Sequence, residues 1–282
     1  MIEFQSISKR FQRRNVLNDI SLTLNRGSRV ALVGSNGAGK TTLIRCLLGE
    51  YVCQGSITVD GIDPRQDRRG VLARIGFVPQ LPPPLKIPVG ELINFSASVC
   101  GSDPKRMEHV AEQLGLDMSV IRPQPFVKLS GGQKQKLLIG IALGRDSDIL
   151  VMDEPAANLD PESRKIFFSL LSERMEGTVM LMSSHRIDEV AALVNRVVEL
   201  DLGKVVLDDH VADSVDPSSL QSCSLGLSRA EPALAKTLSE WGFVSNGAPG
   251  LTWTGAVAGP DRLRFLAMMS RYAGLIASLE LK

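Results

Sequence analysis

The stretch Gly34-Ser35-Asn36-Gly37-Ala38-Gly39-Lys40-Thr41 fits the pattern G-x-x-x-x-G-K-[ST]. Glycines there let consecutive backbone N–H groups converge on one anion, and a helix starting near Gly39 aims its positive end at the same point. Lys40 can then reach the β- and γ-phosphates of a nucleotide, while Thr41 offers a hydroxyl to Mg²⁺. A second constellation follows the apolar run Ile149-Leu150-Val151-Met152, where Asp153 and Glu154 stand side by side before Pro155. The carboxyl ends of parallel strands are where open α/β sheets hold ligands. In that position Asp153 can bind Mg²⁺ and Glu154 can polarise an attacking water, a role worth roughly 10²–10⁴ in rate.

Three further signals are weaker alone. Leu129-Ser130-Gly131-Gly132-Gln133 precedes a helical pattern with Leu137, Leu138 and Ile141 on one side. Ser130 caps that helix and the two glycines expose backbone N–H groups, which makes either an ordinary capped helix or a second anion site. His185 ends Ser183-Ser184-His185 after a strand and could donate to a γ-phosphate, and Gln80 follows another strand. The histidines His109, His185 and His210 are far apart, and Cys46, Cys53, Cys100 and Cys223 show no CxxC spacing. The expected metal is therefore the Mg²⁺ that accompanies a bound nucleotide, and the cysteines are expected to be reduced structural thiols.

Periodicity places these groups on elements. Val30 to Val33 predicts a buried strand running into the glycine-rich turn. Past Lys40 the period changes, with Leu43, Ile44, Leu47 and Leu48 on a helical face that Gly49 ends. Ile57 with Val59, and Ile75 to Val78, predict further strands. Pro82-Pro83-Pro84 force an extended segment, beyond which the chain reads as helical, with Met107, Val110 and Leu114 on one face. Strands return at Ile149 to Met152 and Val179 to Met182. Between them lies an amphipathic helix of Ile166, Phe167, Leu170 and Leu171 that opens with Asp160-Pro161. That alternation predicts a parallel sheet with crossovers, and Val197 to Val206 around Leu202-Gly203 predicts a hairpin.

The chain has 282 residues, more than one typical domain of about 100–150. An apolar fraction of 44% with 22% charged residues excludes wholesale disorder. Lysine plus arginine total 32 against 31 acids, so the net charge of +1 gives no general pull toward nucleic acid or anionic lipid. No run approaches the roughly 18–20 apolar residues of a membrane span, and the first residues carry Glu3 and no signal core. The expectation is a soluble intracellular α/β protein. A nucleotide-binding domain is expected over 1–212, with a helical subdomain over about 82–147. A Ser-, Asp- and Pro-rich linker follows over 213–221, then an accessory domain over 222–282. That domain reads strand (Ser222–Leu227), helix (Ala230–Trp241), strand (near Phe243–Val244), strand (Leu251–Val257), helix (Asp261–Tyr272) and strand (Leu275–Leu281). This is the βαββαβ order of a small ferredoxin-like α+β fold. Trp241, Trp253, Met268, Met269 and Tyr272 read there as core or dimer contact, because the adjacent methionines cannot face the same way on a helix.

In order and approximate spacing, Phe11, Gly34 to Thr42, Gln80, Leu129 to Gln133, Ile149 to Glu154, Asn158-Leu159-Asp160 and His185 resemble the ATP-binding cassette (ABC) ATPases. The resemblance covers about residues 1–210, and the Leu-Ser-Gly-Gly-Gln signature separates that family from other P-loop proteins. It implies a P-loop NTPase core in which two cassettes, expected as a homodimer, bind head to tail. Each ATP is then held between the loop Gly34, Ser35, Asn36, Gly37, Ala38, Gly39, Lys40, Thr41 and Thr42 of one copy and Ser130, Gly131, Gly132 and Gln133 of the other. It implies that Phe11 stacks on adenine and that Thr41, Gln80 and Asp153 meet Mg²⁺. It also implies that Gln80 relays site occupancy, that Asp160 sits at the cassette contact, and that Glu154, His185, Gln80 and Lys40 carry out hydrolysis.

The departures from the family pattern are few. Ala156 stands where Thr or Ser is common, Lys136 replaces the usual Arg after the signature, and Pro123 to Lys128 lack the acidic-glycine loop of large multidrug exporters. No catalytic position is substituted, so an active ATPase is expected. The resemblance implies separate transmembrane permease subunits as partners, no nucleic acid, and a peripheral place on the cytoplasmic face of the membrane. The loop Asn36 to Thr42, the stretch Val89 to Phe95 and the short C-terminal domain look most like ABC-2 exporter cassettes. Leu92, Ile93 and Phe95 stand near the expected permease groove, although helix core fits them equally. Import cassettes with a ferredoxin-like sensing domain are the nearest alternative, followed by a soluble iron–sulfur assembly ATPase.

Overall fold

The computed structural model describes residues 1–12, 14–174, 177–185, 190–191, 193–210, 220–246, 250–258, 265, 268–269 and 272–281. They fall in two units, Met1–His185 with Leu193–Val211, and Arg186–Ala192 with Ala212–Lys282.

The first unit is built on two sheets. Strands β1 (Ile2–Phe11), β2 (Arg14–Leu24) and β4 (Gln54–Val59) pair antiparallel in the order β2-β1-β4. Strands β3 (Arg29–Val33), β5 (Ile75–Val78), β6 (Ile149–Asp153), β7 (Val179–Ser183), β8 (Arg196–Asp201) and β9 (Lys204–His210) form a six-stranded sheet in the order β5-β6-β7-β3-β8-β9. Its strands run parallel from β5 to β8, and β9 returns antiparallel on β8 through the expected Leu202-Gly203 turn. Both faces of β6 and β7 are covered, which is why each is an unbroken apolar run rather than an alternating one.

Crossovers come from α1 (Lys40–Leu47), α2 (Arg68–Ala73) and α7 (Pro161–Ser172). Helix α7 starts as its sequence predicts, with Pro161 in the first turn and the Asp160 carboxylate accepting from Ser163 N at 2.9 Å. It buries Phe167 and Leu171 completely, each worth about 1.5–3 kcal/mol relative to exposure. Helices α3 (Val89–Cys100), α4 (Pro104–Gln113), α5 (Met118–Ile121) and α6 (Gly131–Leu143) have their own core around Ile93, Met107, Ala111, Phe126 and Leu137. Leu92 and Ile93 belong to that core, whereas Phe95 is 65% exposed. Among the described residues no helix is long and apolar enough to cross a membrane.

In the second unit, β10 (Leu220–Leu227), β11 (Val244–Ser245), β12 (Thr252–Ala258) and β13 (Ile276–Leu281) form an antiparallel sheet in the order β11-β12-β10-β13, with α8 (Pro232–Glu240) after β10. Strands β10 and β11 flank β12, and β12 and β13 flank β10, so each half fills the gap left by the other. Residues 213–219 of the expected linker lie outside the described residues. Leu220 and Gln221, expected in that linker, already belong to β10, because its pairing with β12 extends to Leu220 opposite Ala258. The helix expected over Asp261–Tyr272 lies mostly outside the described residues, and Phe265, Met268 and Met269 within it have helical backbone. Phe265 and Met269 are buried, with Phe265 stacked on Phe243 at 5.1 Å and edge-on to Trp241 at 5.4 Å. Those aromatic and methionine side chains fill a core.

Candidate nucleotide site

Helix α1 opens directly on the glycine-rich loop that leaves β3. Its cap residue, Gly39, has φ 111° and supplies no side-chain hydrogen bond, and the first turn holds no acid. The N–H groups at this helix start therefore have no intrahelical partner and present a positive dipole end. Gly34, at φ 139°, cannot be replaced without collision, since a Cβ would come within 2.2 Å of Leu200 O. A Cβ on Gly39 would meet Leu17 Cδ2 at 2.8 Å and Val16 O at 2.9 Å. Lys40, only 6% exposed, folds back over the loop and donates from Nζ to Gly34 O at 2.7 Å and Ser35 O at 3.2 Å. Ala38 N donates to Ser35 O at 3.1 Å, closing the loop behind it.

Asn36, Gly37, Gly39, Lys40, Thr41 and Thr42 line a cavity of about 300 Å³ together with Val16, Gln80 and Glu154. The parallel sheet brings them together. The loop follows β3, Gln80 follows β5 and Glu154 follows β6, so all three lie at the carboxyl end of one sheet.

The acidic pair is held from the neighbouring strand. Register sets Asp153 opposite Ser183, whose hydroxyl donates to Asp153 Oδ1 at 2.6 Å and accepts from Glu154 N at 2.9 Å. Asp153 is buried. Glu154 leaves the strand with φ 48°, a left-handed conformation that costs a non-glycine residue about 1–3 kcal/mol and turns its side chain toward the cavity. His185 Nδ1 lies 2.8 Å from Glu154 Oε2, so the imidazole orients the carboxylate and keeps Nε2 for another partner.

Other expected site residues lie elsewhere. Phe11 ends β1, with its ring edge-on to Tyr51 at 5.2 Å and the Lys9 ammonium 4.7 Å over it, and it does not line the cavity. Ser130 and Gln133 close a reciprocal capping box on α6. Ser130 Oγ accepts from Gln133 N at 3.2 Å, and Gln133 Oε1 accepts from Ser130 N at 2.9 Å. Neither they nor Gly131 and Gly132 reach the cavity of their own chain. Asp160 caps α7 and pairs with Lys136 Nζ at 2.9 Å. The Ser163 amide, then the Lys136 ammonium, hold its carboxyl well below the usual carboxylate range. Lys136 thus makes, as a point charge, a contact for which arginine would offer a planar fork.

Sequence reasoning passed over Val16, Ser183 and Gln135. Ser183 is readable only once β6 and β7 are known to be neighbours, and Val16 only once its carbonyl is seen against Gly39.

Residues 17–157 match a family model described as ABC transporter. The zinc import ATP-binding protein ZnuC of Rickettsia conorii is 32% identical, over 65% of this chain and 76% of its own length. The ABC-type organic anion transporter ABCA8B of Mus musculus is 33% identical over 72% of this chain, which spans 13% of that protein's length. A solved bacterial Atm1-family ABC exporter with ATP bound superposes with a TM-score of 0.65 at 26% identity, covering 74% of this chain and 38% of the exporter's.

Proposed function

This chain belongs to the ABC transporter family, as one of its ATP-binding cassette ATPases, and from that premise we propose that paired copies of it hydrolyse ATP to power a membrane transporter. The observation that carries the proposal is the single cavity in which the phosphate loop, Gln80 and Glu154 meet.

The free N–H groups at the start of α1 and the Lys40 ammonium bind the β- and γ-phosphates. Glu154, oriented by His185 and raised from the strand by its left-handed backbone, accepts a proton from the attacking water. Gln80, just past the end of the neighbouring strand, positions that water. The hydroxyl of Thr41 and the amide oxygen of Gln80, which line the cavity, and the carboxylate of Asp153, buried one residue before Glu154, are hard oxygen donors of the kind Mg²⁺ takes, and they would hold it. When bound, that ion would neutralise phosphate charge. Phe11, exposed at the end of β1 outside the cavity, is the ring that the resemblance assigns to adenine.

Ser130, Gly131 and Gly132 do not line their own chain's cavity, so in this reading their anion-ready helix start serves the nucleotide of a second copy. The transmembrane work falls to separate permease subunits, with this chain peripheral on the cytoplasmic face. Leu81, which follows Gln80, is 75% exposed, and Phe95 and Val99 lie exposed one turn apart on α3, where we place the permease contact. Export of the ABC-2 type is the favoured direction, from the Asn36 to Thr42 loop and the Val89 to Phe95 stretch. One observation supports import instead: the β11-β12-β10-β13 sheet has the ferredoxin-like strand order that the resemblance associates with substrate-sensing import cassettes.

The test is Glu154→Gln, which traps ATP, followed by purification from detergent-extracted native membranes and mass spectrometry. Recovery of a polytopic membrane protein supports the transporter reading, and its topology decides direction. A soluble partner, or a bare ATP-bound dimer, overturns it.

A further inference from the structure

Helix α6 touches the turn that carries Glu154 at Gly132, Gln135 and Lys136. Gly132 lies so near Asn158 that a Cβ would come within 3.3 Å of its carbonyl oxygen, and Lys136 pairs with Asp160. Between these contacts Gln135, with no exposed surface, donates from Nε2 to the carbonyl of Pro155 at 3.0 Å. Its Oε1 is buried with no hydrogen-bond partner among the described residues. Reversing the amide would set two acceptors, Oε1 and Pro155 O, against each other, so the chemistry fixes its orientation. A buried amide oxygen without a donor is unfavourable; methionine would fill similar space without that oxygen, but would leave the buried Pro155 carbonyl without its donor. Packing therefore does not account for a glutamine here.

The bond it makes does account for it. Glu154 holds a left-handed φ that persists only when its surroundings over-determine it. On one side Glu154 N donates to Ser183 Oγ, and on the other the carbonyl of Pro155 is gripped by Gln135. We infer that Gln135 is a positioning residue for Glu154, tying the general-base turn to the helix whose start bears Ser130, Gly131 and Gly132. The inference rests on the hydrolytic reading above. Since that helix start is the surface that meets a second copy's nucleotide, the bond makes the base of one site sensitive to the occupancy of the other.

The test measures ATP turnover and melting temperature of the full chain as wild type, Gln135→Met, Gln135→Glu and Glu154→Gln. Gln135→Met is expected to stay folded, with a melting temperature at most modestly below wild type and a KM for ATP within about twofold, while kcat falls roughly 10- to 100-fold through misplacement of the base. Gln135→Glu keeps the shape but sets a carboxylate oxygen against Pro155 O, and is expected to lose at least as much. A kcat within about twofold of wild type for Gln135→Met overturns the inference, as does a raised KM at unchanged kcat. Failure of both variants to fold also overturns it, since the bond would then serve the fold. A wild type without ATPase activity, or a Glu154→Gln variant as active as wild type, removes the hydrolytic reading itself.

Discussion

Two helices of the cassette begin at glycine-rich sequences, and they begin in opposite ways. At α1 the cap is a left-handed glycine with no side-chain bond, so the first amides have no side-chain cap among the described residues. At α6 Ser130 and Gln133 cap each other, and the helix start is complete by itself. The glycines differ as well. Gly34 and Gly39 are required by their own chain, through positive φ and through backbone and side-chain atoms closer than any Cβ allows. Around Gly131 nothing among the described residues lies within 4 Å of where a Cβ would stand, so its own fold does not ask for glycine. A helix start left open inside a cavity is built for a ligand. One that is closed, with an unneeded glycine facing open space, has no ligand in its own chain to serve, which is what the proposed pairing of two copies requires.

The largest effect separates chemistry from binding. Glu154→Gln should lower ATP turnover by roughly 10²–10⁴ while leaving nucleotide affinity at α1 intact, as checked by phosphate release beside equilibrium binding. If affinity fell equally, the division of labour between loop and turn would be wrong. Lys40→Ala should weaken ATP binding about 10- to 100-fold, the loss of charge-assisted hydrogen bonds worth about 1.5–3 kcal/mol. A titration with a slowly hydrolysed ATP analogue measures it.

The two glycine stretches should then part company. Gly34→Ala is expected to cost about 1–3 kcal/mol in denaturant midpoint, whereas Gly131→Ala should stay within about 0.5 kcal/mol yet lose ATP-dependent pairing by size-exclusion chromatography. Equal destabilisation would erase the contrast. Ser130→Ala should cost about 1 kcal/mol through the lost cap, seen by chemical denaturation.

The smallest effect concerns the start of α7. The folded pKa of Asp160 is lowered, so its contribution is full above the ordinary carboxylate pKa of about 3.9 and fades as pH falls toward the folded value. Asp160→Asn, which keeps a capping oxygen but loses the Lys136 ion pair, should melt earlier than wild type at neutral pH. The two melting temperatures should converge in acid, and a gap that persists there would assign the difference to something other than the charge.

Much of the site could be read in advance where its parts are local. The strand, glycine loop and helix from Val30 to Leu48 follow from consecutive residues, as do the Asp160-Pro161 helix start and the apolar strand ending at Asp153. Leu92 and Ile93 remained ambiguous between core and surface because a helical period does not say which neighbour covers it, and α4 and α6 settle them as core. Residues 220–221 read as linker because their polar company hid a strand that only pairing with Ala258 and Val257 reveals.

What the sequence by itself determined are the chemical groups and their local geometry, because backbone amides, caps and strand ends are set within a few residues. Which groups meet was decided only by tertiary structure. Gln80 and Glu154 reach the Lys40 cavity because β5 and β6 lie in the same parallel sheet as β3, with β7 between β6 and β3. Ser183 grips the acidic pair through the β6–β7 register, and Gln135 grips the turn from a separate helix. Strand order and helix docking are chosen by which faces can be buried together, and no short pattern in the chain encodes that.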